Sequence, residues 1–128
     1  MSLTTKNAAG SPVEYSLFRV EGNRATYIGD AHSDLIKDQI ILTSASPKQS
    51  RDTYGNRRTS LNVVRTIKVA TPLVDTTVAR DMKLEPLASV PVGATFEEFQ
   101  ELSARAVGLL EDPIFLKSLY LTGQIDFH

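Results

Sequence analysis

Arg58, Ser60 and Asn62 stand at every second position of the stretch "NRRTSLNVVRTIKV". Side chains alternate across a strand, so these three share one face. A guanidinium, a hydroxyl and an amide in a row can hold phosphate oxygens and the edges of unpaired bases. Val64, Thr66 and Lys68 continue that face, while Leu61, Val63, Ile67 and Val69 lie on the other with Thr59 and Arg65. The plain alternative is a solvated face, the ordinary condition of one side of an antiparallel sheet. Short hydroxyls and amides set between cations favour a ligand instead. Thr43 and Lys83, on neighbouring segments, extend the polar strip.

Other chemistry finds little material. The 128 residues include no cysteine and only two histidines, His32 and His128. Disulfides, thiolate catalysis and cysteine-based zinc sites are excluded. There is no glycine-rich phosphate loop, nucleophile elbow or metal-spaced His/Asp cluster. The paired carboxylates of "EEFQE" open a helix, where they complement the macrodipole. His32, in a polar loop, reads as a surface residue. No catalytic residue, metal ligand or cofactor is assigned, and the pattern argues against an enzyme.

Charge is unevenly divided. Residues 1–93 hold twelve Lys and Arg against nine Asp and Glu, or +3, and residues 94–128 hold two against six, or −4. Between Lys48 and Lys68 there are six cations and one acid. A locally basic strand region with an acidic tail suits a polyanion on one surface only. No run approaches the ~18 apolar residues of a membrane span, and "MSLTTKNAAG" lacks a signal-peptide core. A soluble product made inside a cell, with no membrane partner, is expected.

The elements that must position the strip follow from periodicity. "SLTTKN" and "VEYSLFRV" form an N-terminal hairpin around "AAGSP". In the second of these, Val13, Tyr15, Leu17 and Arg19 oppose Glu14, Ser16, Phe18 and Val20. "ATYIG" and "DQIILTSAS" follow, the latter stopped by Pro47; "KQSRDTYGN" is a loop, and the long strand comes next. "ATPLVDTTVA" reads as an irregular or short-stranded connection, and "RDMKLEPLASVPV" as the last strand. Pro86 and Pro91 cannot donate to a ladder, which predicts a bulge or partly unpaired edge. The period then becomes helical: Thr95 and Glu98 form a capping box before Phe96, Phe99, Leu102, Ala106 and Leu109/Leu110. Asp112-Pro113 starts a second helix, "IFLKSLYLT", which Gly123 ends. That helix is apolar on nearly all sides, which implies either an unusually well-buried tail or insertion into a second subunit. The class is α+β: an antiparallel β-sheet with an N-terminal hairpin, followed by two C-terminal α-helices. It is expected as a single domain over 1–128, with the sheet in 1–93 and the helices in 94–128.

This layout resembles the coat proteins of levivirus-type single-stranded RNA bacteriophages. The resemblance covers nearly the whole chain and rests on "LTSASPKQS" before "NRRTSLNV", then "LEPLASVPVG" leading into "FEEFQELSARAVGLL". It implies an intertwined homodimer in which sheets join edge to edge and helices cross onto the partner. Phe99, Leu102, Phe115, Leu116, Leu119 and Tyr120 would then line the dimer interface. Dimers of this family build a T=3 icosahedral virion shell in the bacterial host cytoplasm, with genomic RNA packaged inside and a maturation protein as a further partner. An RNA hairpin bound on the free sheet face represses translation. By the resemblance, Arg58, Ser60 and Asn62 contact RNA, Thr43 holds an adenine pocket, and Lys48, Lys83 and Glu85 complete the RNA-binding set. The sequence departs from the family at Ala45 and Pro47, where some relatives are polar or basic, and at Lys83, where an aromatic ring is frequent. "ATPLVDTTV", which looks like the family's loop at the symmetry axes, lacks glycine. Two other readings fit the pattern: a small dimeric RNA-binding regulator without shell assembly, and a dimeric enzyme with a cleft between sheet and helices.

Overall fold

The computed structural model describes residues 2–126; Met1, Phe127 and His128 lie outside the described residues. The chain forms two compact units, Met1–Val92 and Gly93–His128.

The first unit is an antiparallel sheet of β1 (Ser2–Lys6), β2 (Pro12–Glu21), β3 (Arg24–Ile28), β4 (Asp38–Ala45), β5 (Asn56–Ala70), β6 (Thr77–Leu84) and β7 (Leu87–Pro91). Neighbours follow chain order from β1 to β6, and β7 also pairs with β5. β6 and β7 run in one register along β5, since Leu84 stands across from Val63 and Leu87 across from Ser60. Only Glu85 and Pro86 interrupt them. Pro86 has no N–H to give, yet its carbonyl still accepts from Leu61 N at 3.1 Å. The last strand is therefore interrupted at its proline, as its sequence predicts. It begins earlier than expected, at Thr77 instead of Arg80, so the irregular part of "ATPLVDTTVA" shrinks to residues 71–76. Asp75 takes a left-handed conformation there, with φ of 57°, and does the work of the missing glycine.

The apolar face of the sheet holds its core. Tyr15, Tyr27 and Ile40 are buried, with Leu3, Val13, Ala25, Leu42 and Val63 packed against them. Asp38 is buried on the same side, where it accepts a 2.6 Å hydrogen bond from Tyr15 and lies 4.0 Å from Arg65 Nε. His32 is half-buried and not the surface residue expected: its Nδ1 accepts from Asp38 N at 3.3 Å. A second departure changes the polar face. A bulge between Leu17 and Arg19 breaks the alternation of β2, so Arg19 pairs with Thr26 and Val20 with Ala25. Arg19 leaves the side of Tyr15 and Leu17, and Val20 takes its place there.

The second unit contains α1 (Phe96–Leu110) and α2 (Pro113–Leu116). Thr95 caps α1: its hydroxyl accepts from Glu98 N at 3.2 Å, while Glu98 Oε1 accepts from Thr95 N at 3.0 Å. Asp112 caps α2, accepting from Ile114 N at 3.0 Å, with Pro113 in the first turn. The segment read as one α-helix widens after Leu116 into a π-helical turn, Lys117–Leu121, before Gly123 at φ 75°. Ser118 O there accepts both Gln124 N and the Thr122 hydroxyl. No described residue of these helices is buried in the single chain.

Candidate nucleic-acid interface

Strand pairing turns the alternating polar positions into rows across the sheet. One row runs Arg24, Thr43, Ser60, Leu87. A second holds Ala45, Arg58 and Ser89. A third joins Arg19, Thr26, Ile41 and Asn62, and the shared register of β6 and β7 sets Glu85 across from Asn62. A fourth ends Gln39, Val64, Lys83. Six of the seven predicted RNA-binding residues thus lie on one face, five on β4, β5 and β6 and Glu85 at the break between β6 and β7. Thr43, Arg58, Ser60 and Glu85 also line one open concavity of about 500 Å³.

The site is ordered by short side chains and left open to long ones. The Thr43 and Ser60 hydroxyls hydrogen-bond each other across β4 and β5. Asn56 Nδ2 donates to Ser89 Oγ at 3.0 Å beside Arg58. Arg58, Lys83 and Glu85 are exposed. Asn62 is half-buried, and its Oδ1 is shut off from solvent without a hydrogen-bond partner among the described residues. An acceptor left in that state costs about 1–3 kcal/mol, so the amide gains by turning toward a donor. Farther along the face, hydrogen bonds from Thr66 and Lys37 hold the Asp81 carboxyl below its ordinary pKa. It stays ionised and pairs with Lys37 at 3.2 Å.

Lys48 is placed apart from this strip. It is exposed in the loop after β4, where its backbone packs so closely against Gly55 that a Cβ there would lie 2.2 Å from Lys48 O. The sequence reading missed Asn23 and Ser89, which line the concavity. It also missed Arg19 and Arg24, whose rows exist only once β2 and β3 are registered. Among the residues expected at a dimer interface, Phe99, Phe115, Leu116 and Leu119 are half-buried, and Leu102 and Tyr120 are exposed. Among the described residues, no group of three or more His, Asp or Glu is arranged to hold a metal, and no helix is long and apolar enough to cross a membrane.

Solved structures with this arrangement of strands and helices are known. The virus-like particle of Beihai levi-like virus 32 superposes with a TM-score of 0.75 at 20% identity, covering 91% of this chain and 90% of that one. The chain has the RNA-phage coat protein fold. The virus-like particle of Wenzhou levi-like virus 4 gives a TM-score of 0.73 at 24% identity, over 87% of this chain and 77% of that one. That of bacteriophage AVE019 gives 0.74 at 10% identity, over 99% and 98%. No family model matches the sequence, and no curated protein matches it. The coat protein fold is thus recognisable here in backbone geometry at identities where sequence comparison is silent.

Proposed function

We propose that this chain is the structural subunit of a viral shell, assembling as homodimers into an icosahedral particle that packages single-stranded RNA. The observation that carries the reading is the convergence of Thr43, Arg58, Ser60 and Glu85 on one open concavity of the polar sheet face, in a fold shared with subunits of levi-like virus-like particles. Arg58 and Lys83 hold phosphates on this reading; Thr43, Ser60 and Asn62 take base edges or sugar hydroxyls. Glu85 accepts from an exocyclic amine and discriminates among bases instead of adding affinity. Lys48 contributes at long range through its charge. A preferred hairpin on this face would make the dimer a translational repressor as well.

The apolar side supports the dimeric part. Leu61, Met82 and Leu84, on the sheet face opposite the polar strip, are exposed in the single chain, as are Leu102 and Tyr120 on the helices. Phe99, Phe115, Leu116 and Leu119 join the last two in the interface with the partner. The role is structural, without a cofactor, and its place is the virion, after assembly in the host cytoplasm with a maturation protein. Electron microscopy of the purified protein, with absorbance spectra for co-purified nucleic acid, tests the reading. Uniform RNA-containing spheres are expected. Discrete dimers with RNA affinity select a regulator, and dimers indifferent to RNA refute the proposal.

A further inference from the structure

Alternation sets the exposed Phe18 ring on the polar face, and the β2 bulge brings Arg19 to the same side. Phe18 is 57% exposed, and with Arg19, Arg24, Thr26 and Gln39 it lines a separate concavity of about 180 Å³. The Arg19 guanidinium carbon lies 5.7 Å from the centre of the ring. Glu21, also in its wall, pairs with Arg19 at 3.3 Å and stands across from Arg24. One carboxylate against two guanidiniums leaves a net positive charge beside the ring. The rows that contain Arg19 and Arg24 are those that pass through Asn62 and Ser60. The two concavities therefore adjoin on one face, where Arg24 of the first stands across from Thr43 of the second, and three strand spacings, or ~14 Å, separate Arg19 from Asn62.

We propose that Phe18 is a stacking platform for an unpaired nucleobase of single-stranded RNA, with Arg19 and Arg24 holding the flanking phosphates. The inference rests on the RNA-binding reading of the sheet face and extends its footprint from β5 to β2. The ligand follows from the chemistry: an exposed aromatic ring with Arg19 over one face leaves a π-surface that any base can use, and the two cations of the concavity match the phosphates that flank that base. A double helix keeps its bases stacked inside and gains only the cations.

The test is titration of an unstructured single-stranded oligonucleotide and of a duplex RNA with wild-type, Phe18→Leu, Phe18→Tyr and Arg58→Ala dimers. Phe18→Leu is expected to weaken single-strand binding roughly tenfold, to spare duplex binding, and to be rescued by Phe18→Tyr. Photocrosslinking to a 5-bromouracil-substituted strand, read by mass spectrometry on wild-type protein, should label Phe18 even if the leucine variant folds poorly. Unchanged single-strand affinity in Phe18→Leu with a loss in Arg58→Ala overturns the platform and leaves the RNA reading standing. Loss of shells by Phe18→Leu with unaltered dimer affinity assigns the ring to a protein contact and likewise overturns it. Absence of RNA binding by wild-type protein removes both readings.

Discussion

Tyr15 donates its phenolic proton to Asp38 Oδ1 over 2.6 Å, joining β2 to the start of β4 beneath the apolar face. Burial comes first in raising the Tyr15 pKa, to about 12, followed by the hydrogen bond to Asp38 and the charge of that carboxylate; Arg65 pulls it partly back. The phenol is kept neutral in the fold while it ionises near ~10 in the unfolded chain. Between those values the unfolded state has lost a proton that the folded state retains, so stability falls as pH rises. The contribution is complete below the unfolded value and is gone above about 12. Denaturant midpoints followed through this alkaline window should drop for wild-type protein and drop less steeply for Tyr15→Phe. Parallel curves would detach Tyr15 from the alkaline transition.

Gly29 is the neighbour that makes this contact possible. A Cβ on it would stand 2.5 Å from Asp38 Oδ2 and 3.0 Å from Tyr15 Cε2. Asp38 cannot swing away without breaking its bond to Tyr15. Gly29→Ala should therefore destabilise by roughly 1–3 kcal/mol, the usual range for overpacking a filled site. Chemical denaturation measures it, and an unchanged midpoint would mean that the β3–β4 corner yields freely.

Which parts of this fold are legible in sequence depends on the range of the interactions that decide them. The Thr95/Glu98 box and the Asp112-Pro113 start are settled within four residues, and both form as read. The faces of β5 follow from alternation alone. The bulge at Phe18 is different: it exists because of how β2 registers on β3, and nothing within "SLFRV" marks it. That single shift moves Arg19 to the polar face, where alternation in the sequence does not place it. Asp75 likewise adopts a conformation that glycine would advertise and aspartate does not. The π-helical turn after Leu116 keeps an apolar helical pattern, so periodicity cannot separate it from α-helix.

Asp75 gives a direct test of that loop. At φ 57° a β-branched side chain is strained, whereas glycine is at ease. Asp75→Val should lose about 1–2 kcal/mol of stability, and Asp75→Gly should be neutral or slightly stabilising. Leu73 and Val74, 72% and 86% exposed at the tip, leave both variants with the same apolar surface for neighbours in a shell. Thermal melts of dimers should thus separate the variants in the stated order. The reverse order would mean that the Asp75 side chain, and not its backbone, shapes the turn.

Leu102 and Tyr120 are 67% and 53% exposed in the single chain, so an isolated subunit should tolerate Asp at either position at little cost. In a dimer that covers them, each loses roughly 1.5–3 kcal/mol of apolar burial and places a charge in the interface. Leu102→Asp and Tyr120→Asp should therefore yield folded subunits that dimerise weakly and form no shells. Wild-type unfolding should depend on protein concentration, as it must for coupled folding and association. Sedimentation equilibrium decides it: a wild-type monomer at micromolar concentration, or a full-strength dimer in both variants, would remove these helices from the interface.

Arg58 and Asn62 sit four residues apart on one strand face, and their roles should separate by salt. Arg58 is exposed between Ala45 and Ser89, with room to meet a phosphate. Its loss should weaken binding to most RNAs alike and lower the salt slope by roughly 0.7 for each phosphate contact removed from a single strand. Asn62 has the unpartnered Oδ1 and lies across from Glu85, so its loss should alter the preference among hairpins and leave the slope alone. Neither side chain belongs to the Tyr15–Tyr27–Ile40 core, and both variants should melt close to wild type. Titrations of Arg58→Ala and Asn62→Ala dimers at several salt concentrations read both effects in one series. If affinity and slope stay unchanged in both, the polar face is an ordinary solvated strand surface, and any packaging of RNA must rely on other cations of the subunit.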